Sequence, residues 1–232
     1  MPRKPAAPPA VPQPPEPPQP RVASVDEKRT RDKDRTRAEL LRVATEEFAR
    51  VGFSGARVDQ IAARTRTTKR MIYYYFGGKE QLYLAVLEQA YEDIRSVEQA
   101  MDLQNLGPVE ALRTLAEFTF DYDDTHRDFI RLVAIENIHH AEYLQTSSQL
   151  VGLNSPVIAL IQQILDRGKQ QKVFSRDATA MEVHVMMSAL CFFRVANRPT
   201  INAVFGYDMT APAARKRHRR IVGDMLIAWL QA

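Results

Sequence analysis

The sequence predicts an all-α fold, with three short helices ahead of a larger helical body. Three observations carry this. From Asp34 onward, apolar residues recur at i, i+3, i+4 and i+7, the spacing that lays one stripe along a helix. No segment alternates apolar and polar residues with the period of a half-buried strand. Beyond the N-terminal tail, Pro108, Pro156 and Pro212 each stand near the start of a periodic segment, where a helix tolerates a missing N–H.

The chain has 232 residues, 45% of them hydrophobic, enough to bury a real core. Residues 1–20 hold 10 of the 14 prolines, a composition that favours a solvated, extended chain. Residues 21–33 are polar and charged, so 1–33 is read as a disordered tail. The net charge of +4 is unevenly spread. Lys28–Lys79 carries 14 Lys or Arg against 6 Asp or Glu, whereas 80–232 carries 15 against 19. A basic module on a mildly acidic body points to a polyanion as partner of the module alone. The single cysteine, Cys191 in "ALCFF", leaves no disulfide within the chain and fits a reducing cytosol. It reads as a buried apolar residue rather than a reactive thiol. No apolar run reaches the roughly 18–20 residues of a membrane span, and prolines interrupt any signal-peptide core. A cytoplasmic protein with no membrane partner is expected.

The first helix is predicted over "DRTRAELLRVATEEFARVG", with Leu40, Leu41, Ala44, Phe48 and Val51 on one face and Gly52 suited to its end. "RVDQIAART" repeats the pattern with Val58, Ile61, Ala62 and Thr65. A third short helix starts near Thr68, whose hydroxyl is expected to cap free N–H groups. A long amphipathic helix then carries Leu82, Val86, Ala90, Ile94 and Val97 as its stripe. Further helices are predicted at 108–124, 127–138, 154–170, 177–196 and 212–230, with 197–209 a connection that has room for one helical turn.

The third short helix, "KRMIYYYF", poses the chemical question, since three consecutive tyrosines cannot all face a core. At about 100° per residue, Ile72 and Phe76 share the inner face, while Arg70 and Tyr74 point away from it. Lys69 and Tyr73 take one shoulder, Met71 and Tyr75 the other. Such an arc suits the major groove of double-stranded DNA. Cationic side chains reach phosphate or guanine acceptors, tyrosine hydroxyls reach phosphate, and methionine meets a thymine methyl. The plainer alternative is an exposed helix whose tyrosines half-bury against neighbours.

A helix ending in Gly-Phe, the "IA" of the second helix, "YYYF" and the "GGKEQL" entry to the fourth follow one another at fixed spacing. With these, the span from Thr36 to Ala90 resembles the DNA-binding domain of the TetR family of transcriptional regulators. The resemblance implies a helix-turn-helix domain over 34–79 and an effector-binding, dimerising helical domain over 80–232. It implies DNA contacts from Thr67, Thr68, Lys69, Arg70 and Met71 at the start of the recognition helix, and from Tyr73, Tyr74 and Tyr75 along it. Lys79 matches the family's phosphate-binding lysine at the N-terminus of the fourth helix, where the helix dipole assists. Three positions depart from the pattern. Arg66 stands where a glycine is usual in the turn, so it must accept an unfavourable backbone conformation or alter the turn. Arg57 replaces a capping threonine; it can supply a phosphate contact but no cap. Met71 replaces a small hydroxyl residue.

For the body, the resemblance implies a four-helix bundle across a homodimer, matched here by Pro156–Arg167 and Ala178–Ala196. An internal core is the alternative for these segments. Candidate effector-pocket residues are Phe118, Tyr122, Phe129, Leu132, Glu136, His139, Met186, Met187 and Phe193. Their aromatic and methionine character suggests a small, mostly apolar or aromatic effector. Glu136 and His139 form an E-x-x-H pair, but further ligands at workable spacing are lacking, so neither metal nor cofactor is expected. "RKRHRR", 215–220, reads as a solvated outer face of the last helix.

No nucleophile with a positioned base and no phosphate loop is present, so catalysis is not expected. The expected function is a regulator, most simply a repressor, that binds a palindromic operator on the nucleoid as a dimer and is released by its effector. A non-specific DNA coater is the competing reading.

Overall fold

The structure, a computed structural model, describes residues 25–148, 150 and 155–232. The proline-rich stretch read as an extended tail lies outside the described residues. Every regular element among the described residues is helical.

Helix α1 spans Val25–Gly55. It begins at Val25, so the expectation of disorder through residue 33 does not hold for its first turns. The reason is local: "VDEKRTRDKDRT" lacks glycine and proline, and Arg35 pairs with Asp32 one turn earlier at 3.2 Å. Among the described residues, 25–36 fall in one unit and Arg37–Ala232 in a second. Gly52, at φ 73° and ψ 175°, breaks the helical path near the end of α1, a conformation open to glycine.

Helices α2 (Val58–Arg64), α3 (Lys69–Phe76) and α4 (Lys79–Ala100) follow. Their inner faces close on α1 through Leu40, Phe48, Ile61, Ile72, Leu82 and Tyr83, all fully buried. Helix α5 spans Pro108–Thr125 and α6 spans Arg127–Ile138. Leu132 of α6 is buried in this same N-terminal core, so α6 packs directly on the short-helix module.

The second core lies among α5, α7 (Ser155–Gln170), α8 (Ala180–Ala196) and α10 (Pro212–Gln231). Leu112, Phe120, Ile161, Val183, Cys191 and Leu226 fill it. Cys191 is fully buried, and burial pushes its thiol well above the usual range. Thr179 and Glu182 form a reciprocal capping box that starts α8. Arg167 gathers the α4–α5 connection by donating to the carbonyls of Leu103, Gln104 and Leu106. Gly168 sits so close to Phe174 that an added Cβ would lie 1.9 Å from its ring.

Two expectations change here. The 197–209 connection contains a real helix, α9 (Arg198–Phe205), with Pro199 in its first turn and left-handed Gly206 at its end. The basic run of α10 is only partly solvated. Arg215 Nε lies 2.7 Å from Asp124 Oδ2, and Arg219 Nε lies 2.8 Å from Asp121 Oδ2. Arg219 also pairs with Glu117, and Arg194 and Arg198 join Asp124 from α8 and α9. Helical periodicity turns residues 215 and 219 onto the acidic flank of α5, while Lys216, Arg217 and Arg220 stay exposed.

Candidate nucleic-acid interface and effector cavity

Helix α3 is short, and its burial is one-sided. Ile72 is fully buried and Phe76 is half-buried beneath the guanidinium of Arg37, 5.3 Å from the ring centre. Tyr73 is 49% exposed and Tyr74 65%, too much for core residues. Lys69 and Arg70 are exposed beside them, and Met71 and Tyr75 are half-buried on the other shoulder. Tyr75 packs between its neighbours, edge-on to Tyr74 at 5.1 Å. Lys69 Nζ lies 3.4 Å from Asp59 of α2, a contact between exposed groups that a stronger anion displaces at little cost.

Thr68 has the extended backbone of an N-cap, but its hydroxyl accepts no N–H, contrary to the expected cap. The side chain stays exposed, so the first turn of α3 keeps donors without a side-chain partner. Thr67, half-buried, donates its hydroxyl to the Thr68 carbonyl at 3.3 Å. Arg57 is exposed at the start of α2 and gives no side-chain cap. Arg66 adopts φ 52°, so the turn keeps its left-handed residue and arginine takes the strain.

Lys79 opens α4 directly after the glycine pair. Its Nζ sits 4.6 Å from the centre of the Phe53 ring, and partial burial holds the amine below its usual range. The stem is thereby held at the helix N-terminus, on the same module as α3.

In the body, a cavity of about 210 Å³ opens among α4, α5, α6 and α8. Helix α4 contributes Tyr91, Ile94, Arg95 and Glu98; α5 contributes Thr119 and Asp123. Phe129, Ile130 and Val133 come from α6, and His184, Met187, Ser188 and Phe192 from α8. The lining is more polar than an apolar effector requires. Arg95, Glu98 and Asp123 are all buried, and Arg95 pairs with Glu98 within α4. Burial raises both carboxyls, Asp123 to about 7, and lowers the His184 imidazole.

Of the pocket residues expected from sequence, Phe129 and Met187 line this cavity. Tyr122 faces a neighbouring hollow between α4 and the α5–α6 turn, its ring stacked on His126 at 3.8 Å. Phe118 and Met186 pack on the body core, and Leu132 lies in the N-terminal core instead. Glu136 is buried but takes the Tyr83 hydroxyl and the Leu144 N–H. His139 and Phe193 are exposed. The scatter has one cause: residue type does not fix which neighbour a helix face meets, and α6 and α8 each present several faces to different neighbours. The missed residues, Arg95, Glu98 and Asp123, occupy stripe positions that an apolar pattern passes over.

Comparison with known proteins bears on both halves. Residues 40–86 match the family profile described as bacterial regulatory proteins, tetR family. Residues 108–226 match a tetracyclin repressor-like C-terminal domain. The HTH-type transcriptional repressor NicS of Pseudomonas putida is 31% identical over 203 residues, covering 88% of this chain and 96% of that protein. The chain belongs to the TetR family. Its members are DNA-binding transcription factors rather than enzymes. The crystal structure of SCO4942 from Streptomyces coelicolor aligns with a TM-score of 0.61 at 25% identity, covering 82% of this chain and 97% of that one. AibR, solved with isovaleryl coenzyme A and operator DNA, shares the fold with a TM-score of 0.60 at 16% identity, over 84% of this chain and 97% of its own. Within this TetR-family chain, the N-terminal match spans the α1–α4 core and the C-terminal match runs from α5 into α10. No helix among the described residues is long and apolar enough to cross a membrane.

Proposed function

We propose that the protein is a repressor that grips a palindromic operator as a homodimer and releases it when a small effector fills the α4–α5–α6–α8 cavity. The observation that carries this is the one-sided burial of α3: Ile72 is locked in the core while Lys69, Arg70, Tyr73 and Tyr74 face outward. In this reading α3 enters the major groove. Thr67, Thr68, Lys69, Arg70, Met71 and the three tyrosines meet bases and nearby phosphates, and Arg57 and Lys79 hold the backbone. The reading module then ends at the start of α4, and the remainder is the sensing and dimerising body.

Two features support the dimer and the release. Met181, Val185 and Phe193 leave an exposed apolar stripe along α8, which a partner subunit would cover. Helix α4 carries Leu82 and Tyr83 in the reader core and Arg95 and Glu98 at the cavity. A ligand that favours a shifted α4 would change the separation of two recognition helices set about 34–36 Å apart. The effector must bind the released form better than the DNA-bound form. NicS, itself described as a repressor, supports the direction of control.

The test is fluorescence anisotropy of a palindromic duplex from the protein's own promoter against a scrambled duplex at one salt concentration. A strong preference for the palindrome supports the reading. Equal binding to both, with a steep salt slope, would identify a non-specific coater instead.

A further inference from the structure

Helix α9 buries none of its eight residues, yet it is amphipathic. Ile201, Val204 and Phe205 fall at i, i+3 and i+4, one stripe of a helix. Ile201 is half-buried, but Val204 is 65% exposed and Phe205 72%. The helix is tied to the body at its ends. Arg198 Nη2 donates to Asp124 Oδ1 at 2.7 Å, and beyond left-handed Gly206 the chain returns to the body at buried Met209. Isolated helices shorter than about 12–15 residues are marginal in water, and packing of an apolar face supplies most of a protein helix's stability. A helix this short, with its stripe in solvent, lacks the surface that would hold it.

The stripe does not stand alone. Among the described residues, twelve large apolar side chains are exposed. Tyr73 and Tyr74 belong to the outward arc of α3, and Val97 and Ile138 stand singly on α4 and α6. The other eight follow one another through α8, α9, Tyr207 and α10, where Ile221 and Met225 sit four residues apart. On α8, Met181, Val185, Ala189 and Phe193 keep a spacing of four and form one exposed ridge. Helix α7, by contrast, exposes Gln162, Gln163, Asp166 and Lys169. Single apolar residues are ordinary on a surface, whereas eight in consecutive elements mark an interface.

A second copy of this chain is the occupant that fits. The α8 ridge is where the dimer reading already places the partner, and α9 continues from its C-terminal end. The start of α10 adjoins that end, since Arg194 and Arg215 both reach Asp124. A stable interface takes roughly 800 Å² from each partner, about 20–30 residues a side. The α8 ridge offers three large apolar side chains, too few by themselves, and α9, Tyr207 and α10 add five. We propose that α9 is a dimerisation arm whose Val204–Phe205 edge packs against the partner subunit and is held helical by it. The proposal rests on the dimer reading and goes further by assigning α9 to the contact.

Sedimentation equilibrium of the full chain tests it. Val204→Ser combined with Phe205→Ser removes the edge without touching a buried residue, so each subunit should keep its fold. The double variant is expected to raise the dimer dissociation constant at least tenfold. Where the dimer stays intact at the lowest concentration, the subunit-exchange rate should rise by the same factor. Val97→Ser and Ile138→Ser, exposed but outside the patch, should change neither. Maleimide labelling gives a second readout, and decides alone should the double variant fold poorly. Val204→Cys should react slowly in the dimer and quickly once dilution or Val185→Asp has separated the subunits. Fully buried Cys191 adds little background. A dimer lost with Val185→Asp but kept by the double variant, with Val204→Cys freely labelled, would overturn the arm and leave the dimer reading standing. A wild-type chain that stays monomeric at every concentration would remove both. A double variant that dimerises normally but loses operator affinity would also overturn the proposal, by placing α9 against DNA.

Discussion

The Tyr83 hydroxyl donates to Glu136 Oε1 across 2.9 Å inside the N-terminal core, tying α4 to α6. The other carboxylate oxygen takes the Leu144 N–H at 3.2 Å. Phe48, Phe53 and Tyr143 pack around the Tyr83 ring with centroids 4.8, 5.3 and 5.0 Å away, so the bond is shielded from water. Burial, reinforced by the carboxylate, pushes the phenol well above its usual range and keeps it a donor.

Tyr83→Phe keeps this packing and removes only the donor. The Glu136 carboxylate then loses one of its two partners while still buried, at a cost of about 1–3 kcal/mol. Urea unfolding should show a lower midpoint with unchanged slope. A stability equal to wild type would mean that water replaces the hydroxyl.

Arg66→Gly should act in the opposite direction. A left-handed arginine costs about 1–2 kcal/mol, and glycine's greater unfolded-state freedom returns about half of that. A net gain of roughly 0.5–1 kcal/mol is expected in the same assay. Arg66→Ala, which keeps the Cβ strain, should give no gain.

Lys79→Ala and Arg70→Ala should separate two kinds of DNA contact. Loss of a phosphate contact at Lys79 should weaken binding to all sequences alike and reduce the salt slope by about 1. Arg70→Ala should relax preference at one base position, by roughly 1–3 kcal/mol there. Anisotropy on a panel of single-base operator variants at several salt concentrations measures both. Identical losses on every sequence would remove the distinction.

Asp123 gives the protein a specific pH dependence. Unfolded, its carboxyl ionises near its ordinary 3.8; folded, burial raises this to about 7. Between those values the folded protein holds a proton that the unfolded chain has released. This contribution is therefore complete below the unfolded value and is lost as pH rises through the folded one, a swing on the order of 4 kcal/mol. Asp123→Asn should remove it, so the variant gains on wild type as pH climbs from about 4 to about 8. Paired urea titrations across that range check the sign.

The reading module was largely legible because its determinants are local. Ile72 and Phe76 follow from helical spacing, and the outward placement of Arg70, Tyr73 and Tyr74 follows with them. At Arg66 the resemblance left open a strained backbone or an altered turn, and the structure shows the left-handed backbone. The body was less legible. Arg95, Glu98 and Asp123 lie on the inner stripes of α4 and α5, at spacings of three and four from Tyr91, Ile94, Thr119 and Phe120. A search for apolar periodicity skips charged residues there, although a charge on such a stripe is itself a sign of a polar interior. Val97, counted on the stripe of α4, is exposed, and Glu98 takes the inward place.

By itself, the sequence determined most of the helices, the basic module and the acidic body, and the chemistry of the α3 surface, because each depends on residues within a few turns of one another. Only the tertiary structure decided which face of α6 joins the N-terminal core, that Arg215 and Arg219 turn onto α5, and that buried charges line the cavity. Those outcomes depend on which helices meet, and helix packing brings together residues separated by tens of positions whose pairing leaves no periodic trace.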